Sequence, residues 1–273
     1  QYLITVTRSY FITIISHSVS DARAVESFHR LVLTACDQLM QDIQLPKPAH
    51  KPVPQSIESL LPHHPEISSA DEMIGLIQRQ IAQKRYSTFP IKSDVAPGEL
   101  KLITKQLNRT ESTRIFDYCR NREISVNSFL MAAFSSSAFK ELSDHQNGAQ
   151  TYLCRSIFDL RQRIASPISP DTFITAVTSI QSPITIDQST PIWKLAQQIQ
   201  TQTKHNTFDI GTKEHHIANK AFSSKYPQPI LYHISNLGRV IWNTKFQHFT
   251  PKNMIVGFGN LAHNSLPITC SSF

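Results

Sequence analysis

The chain has 273 residues, with 27 Lys and Arg against 20 Asp and Glu, giving a formal charge of +7. With 40% hydrophobic and 17% charged residues it is too apolar for a disordered chain. It holds 7 glycines and no GxGxxG or GxxxxGK(S/T) run, so a glycine-rich phosphate loop is excluded.

The apolar runs are far shorter than the ~20 residues of a membrane helix, so no membrane span is expected. The first residues lack the basic, apolar and cleavage regions of a signal peptide. Lys and Arg are dispersed, and the densest groups are short: Arg114, Arg120 and Arg122, then Arg155, Arg161 and Arg163. Nucleic-acid binding wants a basic stripe with aromatics between, and is not expected. A small phosphorylated ligand, an acidic partner and a merely basic solvated surface all fit the charge. Cys36, Cys119, Cys154 and Cys270 lie far apart with no CxxC pair. They read as free thiols of a reducing, cytoplasmic compartment, or simply as buried cysteines.

The chain opens with a strand over 2–15, whose run Phe11 to Ile15 suggests burial on both faces. The polar stretch Ser16 to Asp21 follows, then a helix to Ile43. Val25, Phe28, Val32, Ala35, Leu39 and Ile43 recur at helical steps and predict its apolar face. Pro46, Pro48, Pro52 and Pro54 end it and open an extended linker. Ser69 and Glu72 have capping-box spacing before a second helix with Met73, Ile77 and Ile81 on its face.

A strand is expected from Leu100 to Leu107, then a helix pair. Thr110 or Ser112 opens the first, and Ser125 caps the second. Strands follow at Thr151 to Leu160, Thr172 to Ile180 and Ile184 to Ile186. Thr190-Pro191 starts a helix lined by Ile192, Ala196, Ile199 and Thr203. After a polar, His-rich loop, strands are expected at Ile230 to Ser235, Lys245 to Phe249, Met254 to Phe258 and Ser265 to Phe273. Helices and strands mix without strict alternation, so the fold class is α/β or α+β with a mixed sheet. Both ends break into strand, which suggests a piece of a longer protein.

One constellation can carry chemistry. His17 follows a strand and precedes Asp21 by four residues, at a helix start. A turn there presents an imidazole to a cleft, and histidine is a natural general base near neutral pH. The plainer reading is a loop histidine beside an acid that caps the helix. His63-His64 and His215-His216 are adjacent pairs in polar loops without metal-ligand spacing, and read as surface residues. His233 shares a strand face with Ser235 and is either a packed core residue or a cleft residue.

The segment Phe11 to Ala22 resembles the HHxxxDG segment of the CoA-dependent acyltransferase superfamily. That superfamily holds chloramphenicol acetyltransferase, peptide-synthetase condensation domains, plant BAHD enzymes and polyketide-associated acyltransferases. Further likenesses come in family order: Ser125 to Phe134, Phe158 to Arg161, Pro191 to Ala196, and Ile234 to Gly238. The first His of the motif is Ser16 here and its Gly is Ala22, and the BAHD DFGWG motif is absent.

The resemblance implies a chloramphenicol-acetyltransferase-like fold in which two similar lobes enclose a tunnel. Residues 1–45 would end the N-terminal lobe, 46–67 would be the Pro-rich linker, and 68–273 a truncated C-terminal lobe. The implied activity is acyl transfer from acyl-CoA or an acyl carrier protein to a small alcohol or amine, with no permanently bound cofactor and no metal. A condensation-type module, or a relative that only binds a carrier, is the alternative. His17 matches the general base, and Asp21 the structural acid, with Arg161 as its expected partner. Ser235 and Asn236 would line the tunnel and hold the oxyanion or a substrate; otherwise they form a strand-end turn closed by Gly238.

Overall fold

A computed structural model describes residues 2–4, 9–17, 19–47, 52–61, 86–87, 103–142, 148–162, 164, 168–206, 230–240, 245–252, 254–256 and 266–272. Strands β1 (Tyr2–Ile4) and β2 (Ser9–Phe11) form an antiparallel pair ahead of helix α1 (Ala22–Met40) and the single turn α2 (Ile57–Leu60). Helices α3 (Arg109–Asn121) and α4 (Val126–Leu142) precede the antiparallel strands β3 (Gln150–Asp159) and β4 (Val177–Ile186). Helix α5 (Ile192–Asn206) then leads to β5 (Ile230–Arg239) and β6 (Leu266–Ser272). The main sheet has the order β4-β3-β5-β6, with β5 parallel to both β3 and β6. It is therefore the mixed sheet expected.

One face of that sheet is closed by α4 and α5. Strand alternation puts Tyr152, Cys154, Ile184, Ile186, Tyr232 and Ile234 on one side, all buried. They meet Met131, Ala132 and Phe139 of α4 and Leu195, Ala196 and Ile199 of α5. A polar chain crosses this core. The single Tyr232 proton goes to the Met131 carbonyl at 2.7 Å, so Ser135 Oγ donates to the tyrosine oxygen at 2.8 Å. Burial raises the pKa of Tyr232 and pushes the Cys154 thiol up to about 12. Cys154 is thus a packing residue, not a nucleophile.

Several expectations change. The strand expected over 2–15 is two short strands, β1 and β2, of which the second ends at Phe11; Ile12 and Ile14 lie beyond it and are 40% and 80% exposed, so this run is not buried on both faces. The spacing locates α1 correctly but not its buried face. Phe28, Leu39 and Ile43 are exposed, whereas Ala24, Ser27 and Asp37 are buried. Residues 103–107 form no strand, and Ile103 is 84% exposed. Asn108 rather than Thr110 or Ser112 caps α3, in a reciprocal box with Glu111. Ser125 does cap α4, its Oγ accepting from the Ser128 amide at 3.0 Å.

Two expected strands merge into β4. Pro183 lies between them, and among the described residues β4 is at the edge of the sheet, where a missing N–H is tolerated. Residues 172–176 lie outside it. Strand β5 runs on to Arg239 through a bulge at Gly238, whose φ of +65° suits glycine. Residues 245–249 and 254–256 form no strand. The helix expected from Ser69 and both His-His pairs lie outside the described residues. No helix among the described residues is long and apolar enough to cross a membrane.

Replacing Tyr232 with Phe removes the hydroxyl that serves both Ser135 and the Met131 carbonyl. The expected loss is about 1–3 kcal/mol of stability, the cost of stranding a buried polar group. Urea unfolding of Tyr232→Phe beside the parent measures it.

Candidate active site

His17 lies in a turn between residues 12–16, which follow β2, and α1. The Val19 amide bonds to the Ser16 carbonyl at 3.1 Å and closes the turn. His17 Nδ1 lies 3.0 Å from the Ser20 carbonyl oxygen. A carbonyl only accepts, so Nδ1 carries the proton, and in the neutral ring Nε2 carries the lone pair. His17 is exposed, and its own carbonyl accepts from Thr175 Oγ1 at 2.7 Å.

Asp21 ends the loop and is buried. Its extended backbone makes it the N-cap of α1, and Oδ1 accepts from the amides of Arg23 and Ala24, both at 3.1 Å. The other oxygen, Oδ2, accepts from Arg161 Nη1 at 2.7 Å and from the Ala176 amide at 2.8 Å. The capping and ion-pair readings of Asp21 are thus satisfied together, one by each oxygen. Arg161 is 1% exposed and is held further by the Ile174 carbonyl at 2.9 Å and Asp159 at 3.3 Å. A buried charge pair keeps its value only while such bonds satisfy both partners.

Two contacts have no signature in sequence. Arg23 Nη2 donates to the Leu237 carbonyl, tying the start of α1 to the end of β5. Asp37, near the other end of α1, accepts from the Gln247 amide at 3.0 Å, the His248 amide at 2.8 Å and His248 Nδ1 at 3.0 Å. Desolvation works to raise the Asp37 pKa, but the Gln247 and His248 donors outweigh it and hold the carboxyl below the usual range.

Because β3 and β5 are parallel and β4 is antiparallel to β3, Asp159-Arg161, the lead-in to β4 and the end of β5 share one edge of the sheet. The His17 loop is fastened there. Ser235 and Asn236 occupy the same end of β5. Asn236 Oδ1 accepts from the Gly238 amide at 2.9 Å, within β5 at its bulge and not in a turn that ends the strand. Ser235 pairs in register with Ile157 on one side and Thr269 on the other.

Replacing Arg161 with Leu strands the Asp21 carboxylate in a buried site, and a loss of about 3–5 kcal/mol is expected in thermal or urea unfolding. Asp37 gives a pH effect. Its folded pKa is depressed, so its contribution is complete above the pKa of the unfolded carboxyl, about 4, and is lost as pH falls through the folded value. Asp37→Asn should therefore unfold at lower urea at neutral pH and show a shallower decline of the midpoint below about pH 4.

No curated protein matches the sequence. Solved structures do. Polyketide synthase associated protein 5 from Mycobacterium tuberculosis aligns with a TM-score of 0.53 at 17% identity, over 81% of this chain and 55% of that one. The epimerization domain of the third module of tyrocidine synthetase B gives 0.57 at 11% identity, over 94% and 60%. The trichothecene 15-O-acetyltransferase from Fusarium sporotrichioides gives 0.54 at 12% identity, over 81% and 49%. These likenesses establish the chloramphenicol-acetyltransferase-like fold, and the chain spans about half the length of the structures it matches. Residues 96–243, more than half of the chain, match the family model for the C-terminus of phthiocerol/phthiodiolone dimycocerosyl transferase. The chain belongs to that family, within the superfamily of CoA-dependent acyltransferases and condensation domains.

Proposed function

We propose that the protein is an acyltransferase that moves an acyl group from a thioester to a hydroxyl or amine, with His17 as the general base. The observation that carries this reading is the tautomer. With Nδ1–H bonded to the Ser20 carbonyl, the neutral ring offers Nε2 as its base. Nε2 takes the proton of the acceptor O–H or N–H as that atom attacks the thioester carbonyl. The tetrahedral intermediate collapses with loss of the thiolate, which recovers the proton from the imidazolium. The products are an ester or amide and a thiol, and the base is regenerated.

Acyl-CoA and a phosphopantetheine-bound acyl carrier protein are the donors that fit, and a small alcohol or amine is the acceptor. Both donors are anionic, which suits a chain of formal charge +7. The reading places the reaction in the cytoplasm, where such thioesters are made. No permanently bound cofactor enters this chemistry. Ser235 and Asn236 are our candidates for donating to the oxyanion or orienting a substrate. In Asn236 the side-chain nitrogen would serve, since the oxygen is engaged by Gly238.

The test is thiol release from a panel of acyl-CoAs with mixed alcohols and amines, using the full-length protein beside His17→Ala checked for folding. A loss of about 100- to 10,000-fold in acceptor-dependent release is expected for the variant. Equal release from both proteins would overturn the role of His17. No release from either would move the donor to a carrier protein, and so favour a condensation-type module.

A further inference from the structure

We propose that Thr175 is a positioning residue for His17, acting through the His17 backbone carbonyl; the proposal rests on His17 being the base. Thr175 and Ala176 are consecutive residues leading into β4, and they grip the two ends of the His17 loop. The Thr175 hydroxyl donates to the His17 carbonyl at 2.7 Å, and the Ala176 amide donates to Asp21 Oδ2 at 2.8 Å. Between these two anchors lie the turn bond from Val19 to Ser16 and the ring bond from His17 to Ser20.

The geometry explains why the threonine matters to the ring. A hydrogen bond that fixes the His17 carbonyl restrains the peptide from which the side chain departs. What remains is rotation about χ1 and χ2, and the Ser20 carbonyl fixes that. Ala176 contributes a backbone amide, which no side-chain change removes. Thr175 is the half of the brace that a substitution can release. Its β-branch restricts χ1 and so sets the direction of the hydroxyl in advance.

The segment that delivers Thr175 is itself fastened to α1. Arg30 pairs with Asp171 at 2.5 Å, and Phe173 meets Phe28 edge-on with ring centroids 6.2 Å apart. Thr175 and the start of α1 therefore form one frame around the loop. The Thr175–His17 bond is solvent-accessible, so it adds little to folding stability. Catalysis is far more sensitive to a small misplacement of the base. The expected signature is an effect on the imidazole and on turnover with little effect on unfolding.

The test compares the parent with Thr175→Val, which keeps the shape and loses the hydroxyl, and Thr175→Ser, which keeps the hydroxyl. Imidazole nitrogen–proton correlation spectra report the tautomer of His17, assigned by its absence in His17→Ala. The parent and Thr175→Ser should show the Nδ1–H form, and Thr175→Val a mixture of both tautomers. In the full-length protein, kcat for thiol release from acetyl-CoA with 1-octanol should fall about tenfold in Thr175→Val with KM unchanged. Thr175→Ser should restore it.

Unchanged His17 signals in Thr175→Val would overturn the proposal. So would a Thr175→Ser variant as altered as Thr175→Val, because the methyl rather than the hydroxyl would then be responsible. Failure of the base assignment is distinct: His17→Ala would keep full activity. An inactive His17→Ala beside an unimpaired Thr175→Val would remove the positioning role alone.

Discussion

The Asp21 carboxylate is the contact on which the rest of the site depends. One oxygen starts α1 and the other receives Arg161 and the Ala176 amide. A single side chain therefore sets where the helix begins and where that beginning sits on the sheet. The charge is buried, so neither role can be relaxed by water. His17 is four residues upstream in the same loop, and its place follows from that anchor.

The structure divides its labour between two kinds of contact. Strands β3, β4 and β5 and helices α4 and α5 are joined by apolar packing around Met131, Tyr152, Ile184, Leu195 and Ile234. Helix α1 is joined differently. Asp21 reaches from it to Arg161 after β3 and to the lead-in to β4, Arg23 to the end of β5, Arg30 to the lead-in to β4 as well, and Asp37 to residues 247–248. Phe28 against Phe173 adds an aromatic contact to this seam. Apolar packing builds the platform, and directional contacts aim the loop.

What was legible in sequence follows the same division. Helical spacing and β-branched runs locate α1, α4, α5, β3 and β5, because apolar burial leaves a periodic trace. The Asp21–Arg161 pair was accessible through the resemblance of Phe158 to Arg161 to a family segment. Arg23 was not legible, since its partner is a backbone carbonyl that any residue supplies, and Asp37 was not, since two of its donors are backbone amides and the third, His248, lies 211 positions away with no pattern linking them. Thr175 escaped for the same reason as Arg23: its hydroxyl meets a backbone carbonyl, and its neighbours carry no recognisable pattern. The spacing of Val25, Phe28 and Val32 announced a helix but could not say that Phe28 would remain partly exposed. The two strands expected at 172–180 and 184–186 join through Pro183, whose tolerance depends on an edge position that only the assembled sheet reveals.

The seam of α1 has a thermodynamic consequence. Among the described elements α1 packs little against the sheet, and its residues Leu31, Leu39 and Met40 are already exposed. Lifting this helix away would break the polar contacts of Asp21, Arg23, Arg30 and Asp37 and open the Phe28–Phe173 contact, whereas opening the core would expose the packed side chains around Met131, Tyr152 and Ile234. Denaturants act in proportion to the surface newly exposed, and so does the heat capacity change. Release of the helix that carries the His17 loop would thus break mainly directional polar contacts and would be separable by hydrogen exchange from unfolding of the platform beneath it.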